Sequence, residues 1–144
     1  ETVVGRGENA FDIYRRTCPV YQEEHSDIRR VEPYVYAQTV AARASYDEGA
    51  ARNSWLTGTA AWTFVNISQY ILGVKPTPAG LRIDPCLPGA LEEYSVRRRY
   101  RGAAYHIHVV QTGTYSLRVD GENVAGNLIP MKDEKKKYHV EVTV

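Results

Sequence analysis

The densest run of side chains fit for chemistry is Asn53-Ser54-Trp55-Leu56-Thr57-Gly58-Thr59-Ala60-Ala61-Trp62. A Thr-Gly-Thr step just ahead of an apolar, helix-length run sets two hydroxyls and free backbone N–H groups at the positive end of a helix dipole. That combination holds phosphate or carboxylate. The same residues also suit the commoner role of N-capping, through Thr57 or Thr59. A second group, Glu32-Pro33-Tyr34-Val35-Tyr36-Ala37-Gln38, offers rings that stack on a pyranose face and an amide that bonds its hydroxyls, with Trp55 close by in sequence. Its plainer reading is core tyrosines with satisfied hydroxyls.

Other candidates carry less. His106 and His108 share one face of a strand and could hold a metal, but no Cys or carboxylate stands at ligand spacing, so a solvent-facing strand is the simpler reading and no metal site is expected. His25 lies in a charged loop without an evident partner. Arg97, Arg98, Arg99 and Arg101 could grip phosphates, yet strand alternation divides them between two faces. The sequon Asn66-Ile67-Ser68 falls inside the apolar helix and is set aside. There is no nucleophile elbow, P-loop or Gly-rich dinucleotide fingerprint.

The elements that must position these residues fall into two halves. Residues 1–73 read as helical: Glu8 to Arg16 with Ala10, Phe11 and Tyr14 at helical spacing, a polar connection over 22–30, then a helix entered at Pro33 and running through Ala41. Asp47 to Arg52 reads as a loop. Thr59 to Leu72 is apolar on most sides, as in a helix buried between others, and Gly73 closes it in the left-handed conformation. Three short helices of this kind cannot cover one another, so the segment is expected to belong to a larger helical assembly and the chain to be incomplete.

Residues 74–144 switch to period two. Tyr94/Val96/Arg98/Tyr100, Tyr105/Ile107/Val109, Tyr115/Leu117/Val119 and Tyr138/Val140/Val142/Val144 alternate with polar residues, and Asp120-Gly121 is a hairpin signal. The expectation is an antiparallel β-sandwich, preceded by a rigid, extended connector over 74–90 that contains Pro76, Pro78, Pro85 and Pro88. The fold class is therefore α+β. The short charged run Lys132 to Lys137 is the one biased tract.

Composition narrows the functions. The 144 residues are 43% hydrophobic and 24% charged, which suits a folded, soluble chain. The formal net charge is +1, the sum of −2 over residues 1–73 and +3 over 74–144, where every Lys lies. That balance argues against a nucleic-acid binder. No apolar run nears the ~20 residues that span a bilayer, so no membrane partner is expected. No signal peptide is visible at Glu1-Thr2-Val3-Val4, and Cys18 and Cys86 are expected as free thiols of a cytoplasmic protein.

Three motifs in order, Glu32-Pro-Tyr-Val-Tyr-Ala-Gln38, Asn53-Ser-Trp-Leu-Thr-Gly-Thr-Ala-Ala-Trp62 and Ile83-Asp-Pro-Cys-Leu-Pro88, closely resemble the cellobiose and chitobiose phosphorylases of glycoside hydrolase family 94. The similarity extends along essentially the whole chain, through Gly73-Val-Lys-Pro-Thr77, Arg99-Tyr-Arg-Gly102 and Val119-Asp-Gly121. It implies the last helices of an (α/α)6 barrel over 1–73, followed by a C-terminal β-sandwich over 74–144. It further implies inverting phosphorolysis of a β-linked disaccharide, cellobiose foremost. Inorganic phosphate attacks the anomeric carbon while a carboxylic acid protonates the leaving oxygen, giving an α-sugar 1-phosphate. Phosphate is thus a substrate, and no cofactor is implied.

Carried over residue by residue, the resemblance assigns phosphate to Thr57 and Gly58 and the hydroxyls of the transferred sugar to Gln38. Glu32, Tyr36, Asn53 and Trp55 fall in the pocket wall or just behind it. The family's general-acid Asp and its phosphate-binding Arg and His match no residue here, and Asp12, Asp27, Asp47 and Asp84 do not replace the acid. The chain alone is therefore expected to be inactive, its partners being the disaccharide, phosphate and the rest of the barrel, in a parent protein that is a homodimer. The competing reading is a non-catalytic carbohydrate-binding or interaction module.

Overall fold

The computed structural model describes residues 1–131 and 137–144. The charged run singled out above lies outside the described residues except for Lys137. After a 3-10 turn at Thr2–Val4, helix α1 spans Gly7–Thr17, with Glu8 in its first turn and Arg15 and Arg16 in its last, each charge favourable to the helix dipole. A 3-10 helix, Pro19–His25, and the single turn α2, Ser26–Arg29, follow where a polar connection was expected.

The helix expected from Pro33 to Ala41 does not form. Arg30 takes φ 58°, a turn closes between Glu32 O and Val35 N, and strand β1, Thr39–Val40, pairs with β2, Ala51–Arg52. Thr39 and Val40 are β-branched and favour the extended backbone. Gln38 N–H to Arg52 O (3.1 Å) and Ala41 N–H to Ala50 O (2.9 Å) extend the hairpin on both sides. The stretch 47–52, read as loop, supplies the second strand.

Helix α3 spans Thr59–Val65 and continues as a π-helix over Asn66–Ile71, with Leu72 N–H bonded to Ile67 O at 2.8 Å. The sequence reads this helix as buried between others. Within this chain it is not: Trp62 is 75% exposed and Phe64 63%, and Ile71 is its one fully buried side chain among the described residues. Gly73 does close it, at φ 66°.

The second half builds two sheets. Strands β3 (Val74–Thr77) and β4 (Gly80–Ile83) form a hairpin inside the segment read as an extended connector, and β9 (Leu128–Pro130) joins them. The other sheet has the order β5 (Glu93–Tyr100), β6 (Ala103–Val110), β10 (Lys137–Thr143), β7 (Ser116–Val119), β8 (Glu122–Asn123). Pairing is antiparallel except that β10 runs parallel to β6, which departs from the expected all-antiparallel sandwich. The β7–β8 turn uses Asp120-Gly121, both at positive φ, as the hairpin signal requires.

Inward-facing residues of both sheets share one core, including Val74, Leu81, Ile83, Tyr105, Ile107, Val109, Leu117, Ile129, Val140 and Val142. Three tyrosine hydroxyls donate from the larger sheet's strands and their flanks to distant backbone carbonyls: Tyr100 to Thr77 (2.5 Å), Tyr115 to Ile83 (2.8 Å) and Tyr94 to Leu72 (2.7 Å). Burial raises the pKa of Tyr94 and pushes that of Tyr115 up to about 12, so both remain donors at any ordinary pH.

A Cβ on Gly73 would lie 2.2–2.4 Å from the backbone of Asp84 and Pro85, in a backbone conformation that side chains resist. Gly73→Ala is expected to destabilise the protein by about 2–5 kcal/mol, strain and overpacking combined. A urea-unfolding midpoint unchanged by the substitution would show that the close approach is not a constraint.

Candidate functional site

The hairpin β1–β2 sets the two motif clusters side by side. The turn Glu32–Gln38 enters β1 and the loop 53–58 leaves β2, so pairing of Thr39 with Arg52 fixes which residues face one another. Asn53 Nδ2 donates to Gln38 Oε1 at 2.9 Å, and Trp55 Nε1 donates to Glu32 Oε1 at 2.8 Å. Tyr34 meets the Trp55 ring edge-on, with centroids 6.1 Å apart. The structure therefore joins Glu32, Tyr34, Gln38, Asn53 and Trp55 into one cluster.

The loop needs unusual backbone. Asn53 and Trp55 take φ 55° and 68°. Asparagine tolerates that region, whereas tryptophan does not ordinarily adopt it, and the bond to Glu32 is what anchors the Trp55 ring there. Glu32 is held below the usual carboxylate value of 4.5 by its hydrogen bond from Trp55, then by its own backbone N–H and Ser54. It is therefore an acceptor at neutral pH and not a proton donor to a leaving group.

Thr57 and Thr59 form a separate pair. Thr57 Oγ1 accepts the Thr59 N–H at 3.0 Å, and the two hydroxyls lie 2.8 Å apart. The N-cap itself is Gly58, exposed and without a side-chain bond, so neither threonine caps the helix as the plainer reading expected; Thr57 takes up the first helical N–H from one position earlier. One lone-pair direction of Thr57 and the rotatable proton of the pair remain for a ligand. Among the described residues no hydrogen bond links this pair to the Gln38–Asn53 group.

Tyr36 faces elsewhere. It lines a recess with Cys18, Pro19, Val20, Glu23, Pro33 and Tyr34, and burial followed by the neighbouring Cys18 pushes its phenol up to about 12. It stays neutral and serves the wall of the helical segment.

Sequence reading missed Arg29. Its Nη2 donates to Val35 O at 2.6 Å, while its buried Nη1 has no partner among the described residues. Arg29 borders a cavity of about 660 Å³ together with Thr17, Gln22, His25, Ala37 and Thr59. None of the seven predicted site residues lines that cavity, but Ala37 and Thr59 are the chain neighbours of Gln38 and Gly58. One of two adjacent arginines in a polar connection, Arg29 carries no signal at the level of sequence.

This arrangement, a helical segment bearing a polar and aromatic cluster followed by a two-sheet domain, matches known proteins in both parts. Residues 1–73 match the glycosyl hydrolase 94 superfamily catalytic domain and residues 75–125 the glycosyl hydrolase family 65 C-terminal domain. The chain belongs to the glycosyl hydrolase 94 superfamily. Among its relatives, the N,N'-diacetylchitobiose phosphorylase of Vibrio proteolyticus is 38% identical over 135 residues, 90% of this chain and 17% of that protein. The same-named enzyme of Vibrio furnissii is 39% identical over 129 residues, 86% of this chain and 16% of its own length. The solabiose phosphorylase of Paenibacillus borealis is 35% identical over 147 residues, 99% of this chain and 19% of that enzyme. The chain thus spans less than a fifth of the length of these curated relatives. No helix among the described residues is long and apolar enough to cross a membrane.

The Glu32–Trp55 bond has a pH signature. A carboxylate whose folded pKa is depressed contributes stability above its ordinary value and loses it as pH falls through the folded value. With Trp62 replaced by Phe, the remaining tryptophan emission is expected to change with a midpoint below 4.5, and Glu32→Gln should abolish that transition. A midpoint at or above 4.5, or a transition that survives Glu32→Gln, would mean that Glu32 does not hold Trp55.

Proposed function

We propose that this chain is the C-terminal part of an inverting disaccharide phosphorylase, in which it completes one side of the phosphate and sugar pocket. The observation that carries the reading is the pairing of the Glu32–Gln38 turn with the Asn53–Thr59 loop by two side-chain hydrogen bonds, in a chain whose first 73 residues match the family's catalytic domain. Residues 1–73 are then the last helices of an (α/α)6 barrel, and the exposed Trp62 and Phe64 are the face that the other barrel helices cover. Residues 74–144 form the C-terminal domain of a cytoplasmic homodimer.

In this reading the Thr57 hydroxyl and the Gly58 N–H hold inorganic phosphate near the anomeric carbon, without a cofactor. Gln38 bonds hydroxyls of the transferred sugar, kept in place by Asn53. Glu32 and Trp55 brace the loop from behind, and Tyr36 supports the wall. Phosphate is already an anion, so attack needs no general base; the leaving oxygen needs a proton, which this reading assigns to a carboxylic acid of the barrel outside this chain. The sugar is cellobiose, with N,N'-diacetylchitobiose and solabiose, named for the relatives, as its competitors.

The Tyr34–Trp55 pair, 71% and 67% exposed, favours a second reading as a non-catalytic carbohydrate-binding module, since such rings stack on sugars. The two are separated by phosphate. In the full-length parent, Thr57→Ala is expected to raise the KM for phosphate about 10- to 100-fold, the loss of a hydrogen bond to a charged ligand, and to change the KM for cellobiose far less. Equal effects on both would remove Thr57 from the phosphate site, and sugar affinity unchanged by both Thr57→Ala and phosphate would support the binding module. Assayed alone, the 144-residue chain should release no sugar 1-phosphate from any of the three disaccharides; measurable release would overturn the assignment of the acid to another part of the protein.

A further inference from the structure

Three of the chain's four histidines stand on the outer face of the five-stranded sheet, and topology brings them together. His106 and His108 are two apart on β6, opposite the buried Tyr105, Ile107 and Val109, so both stand on the solvent side. Strand β10 runs parallel to β6 with His139 in register with His106, and the two rings lie 5.5 Å apart between centroids, tilted by 42°. His108 Nδ1 lies 3.1 Å from Ser95 Oγ on β5, and its Nε2 lies 3.8 Å from Glu93. The three histidines and Ser95, with Arg97 and Glu141, border a shallow cavity of about 480 Å³. In the sequence His106 and His108 lacked a further ligand only because His139 lies far along the chain.

We propose that His106 and His139 form a cross-strand site for a divalent ion of the Zn²⁺ class, with His108 as the third ligand once its ring turns from Glu93. Imidazole is the nitrogen donor that such ions favour, and three of them with a water make a complete tetrahedral set. Two imidazoles bound at ~2.0–2.1 Å in tetrahedral geometry have centroids roughly 5 Å apart, close to the spacing observed. Among the described residues no three His, Cys, Asp or Glu side chains already converge, so the third ligand depends on that rotation. Ser95 and Glu93 hold His108 toward β5, so the rotation that brings its ring to the ion exchanges the Ser95 bond for the metal. The site is independent of the phosphorylase reading.

Arg97 and Lys137 oppose a cation here, and that makes the proposal decidable. Zn²⁺ titrated into the protein and followed by calorimetry and imidazole NMR is expected to bind one ion and shift the His106 and His139 resonances. His106→Ala and His139→Ala should each weaken binding at least about tenfold, while His25→Ala changes nothing. Arg97→Gln should strengthen it several-fold by removing a like charge. Because these side chains face outward, amide signals of Ile107 and Val140 serve to show that each variant keeps the sheet. Binding that survives both histidine replacements, that weakens in Arg97→Gln, or that is absent at millimolar Zn²⁺ would overturn the site.

Discussion

The carbonyls of Ile71, Leu72 and Gly73 lie at the end of the π-turned helix, where no further N–H of the helix follows to bond them. All three are taken up by the sheet half: Cys86 N–H donates to Ile71 O at 3.0 Å, the Tyr94 hydroxyl to Leu72 O at 2.7 Å and Asp84 N–H to Gly73 O at 2.8 Å. Satisfying buried carbonyls of one half with donors of the other ties the two together more specifically than apolar contact could. A glycine is required at the crossing, because the segment 84–85 runs where a Cβ would stand. Gly7 repeats the device at the start of α1, its missing Cβ filled by the Leu87 carbonyl, while Glu8 accepts the Gly89 N–H at 2.5 Å. One strap, residues 84–89, therefore receives both ends of the helical half.

That strap explains why the prolines of 74–90 do not make a simple spacer. Pro76 lies in β3, an edge strand of the three-stranded sheet, where a missing N–H costs no ladder bond. Pro85 and Pro88 stiffen the part that grips the helices, and Gln111 holds it from the far side through bonds to Pro88 O and Leu91 O at 2.8 and 2.7 Å. The sandwich thereby anchors the far end of the helix that starts at Thr59.

The candidate site shows where reading a sequence succeeds and fails. Residue types single out 32–38 and 53–62, and the structure brings the two stretches together through Asn53–Gln38 and Trp55–Glu32. The partners of those side chains were not legible. Pro33 followed by a run of aromatics has helical spacing, yet the backbone turns at Arg30 and Glu32 and pairs as a hairpin, because the strand partner Ala51–Arg52 exists only once the loop between them closes. That closure decides that Gln38 meets Asn53 and that Glu32 meets Trp55. Likewise the apolar girth of 59–72 predicts a helix buried on most sides, whereas Trp62 and Phe64 are exposed on this chain.

By itself the sequence determined the local grammar: α1 with its dipole-matched charges, the Gly73 stop, the period-two strands with Tyr105, Ile107 and Val109 inward, and the Asp120-Gly121 turn. Each depends on neighbours within a few residues, where periodicity and backbone preference act directly. Tertiary structure alone decided the parallel entry of β10 beside β6, the meeting of His106 with His139, the burial of Arg29 Nη1 without a partner among the described residues and the three carbonyl bonds at the helix end. Those follow from strand order and chain crossing, which bring together residues whose separation along the chain leaves no periodic trace.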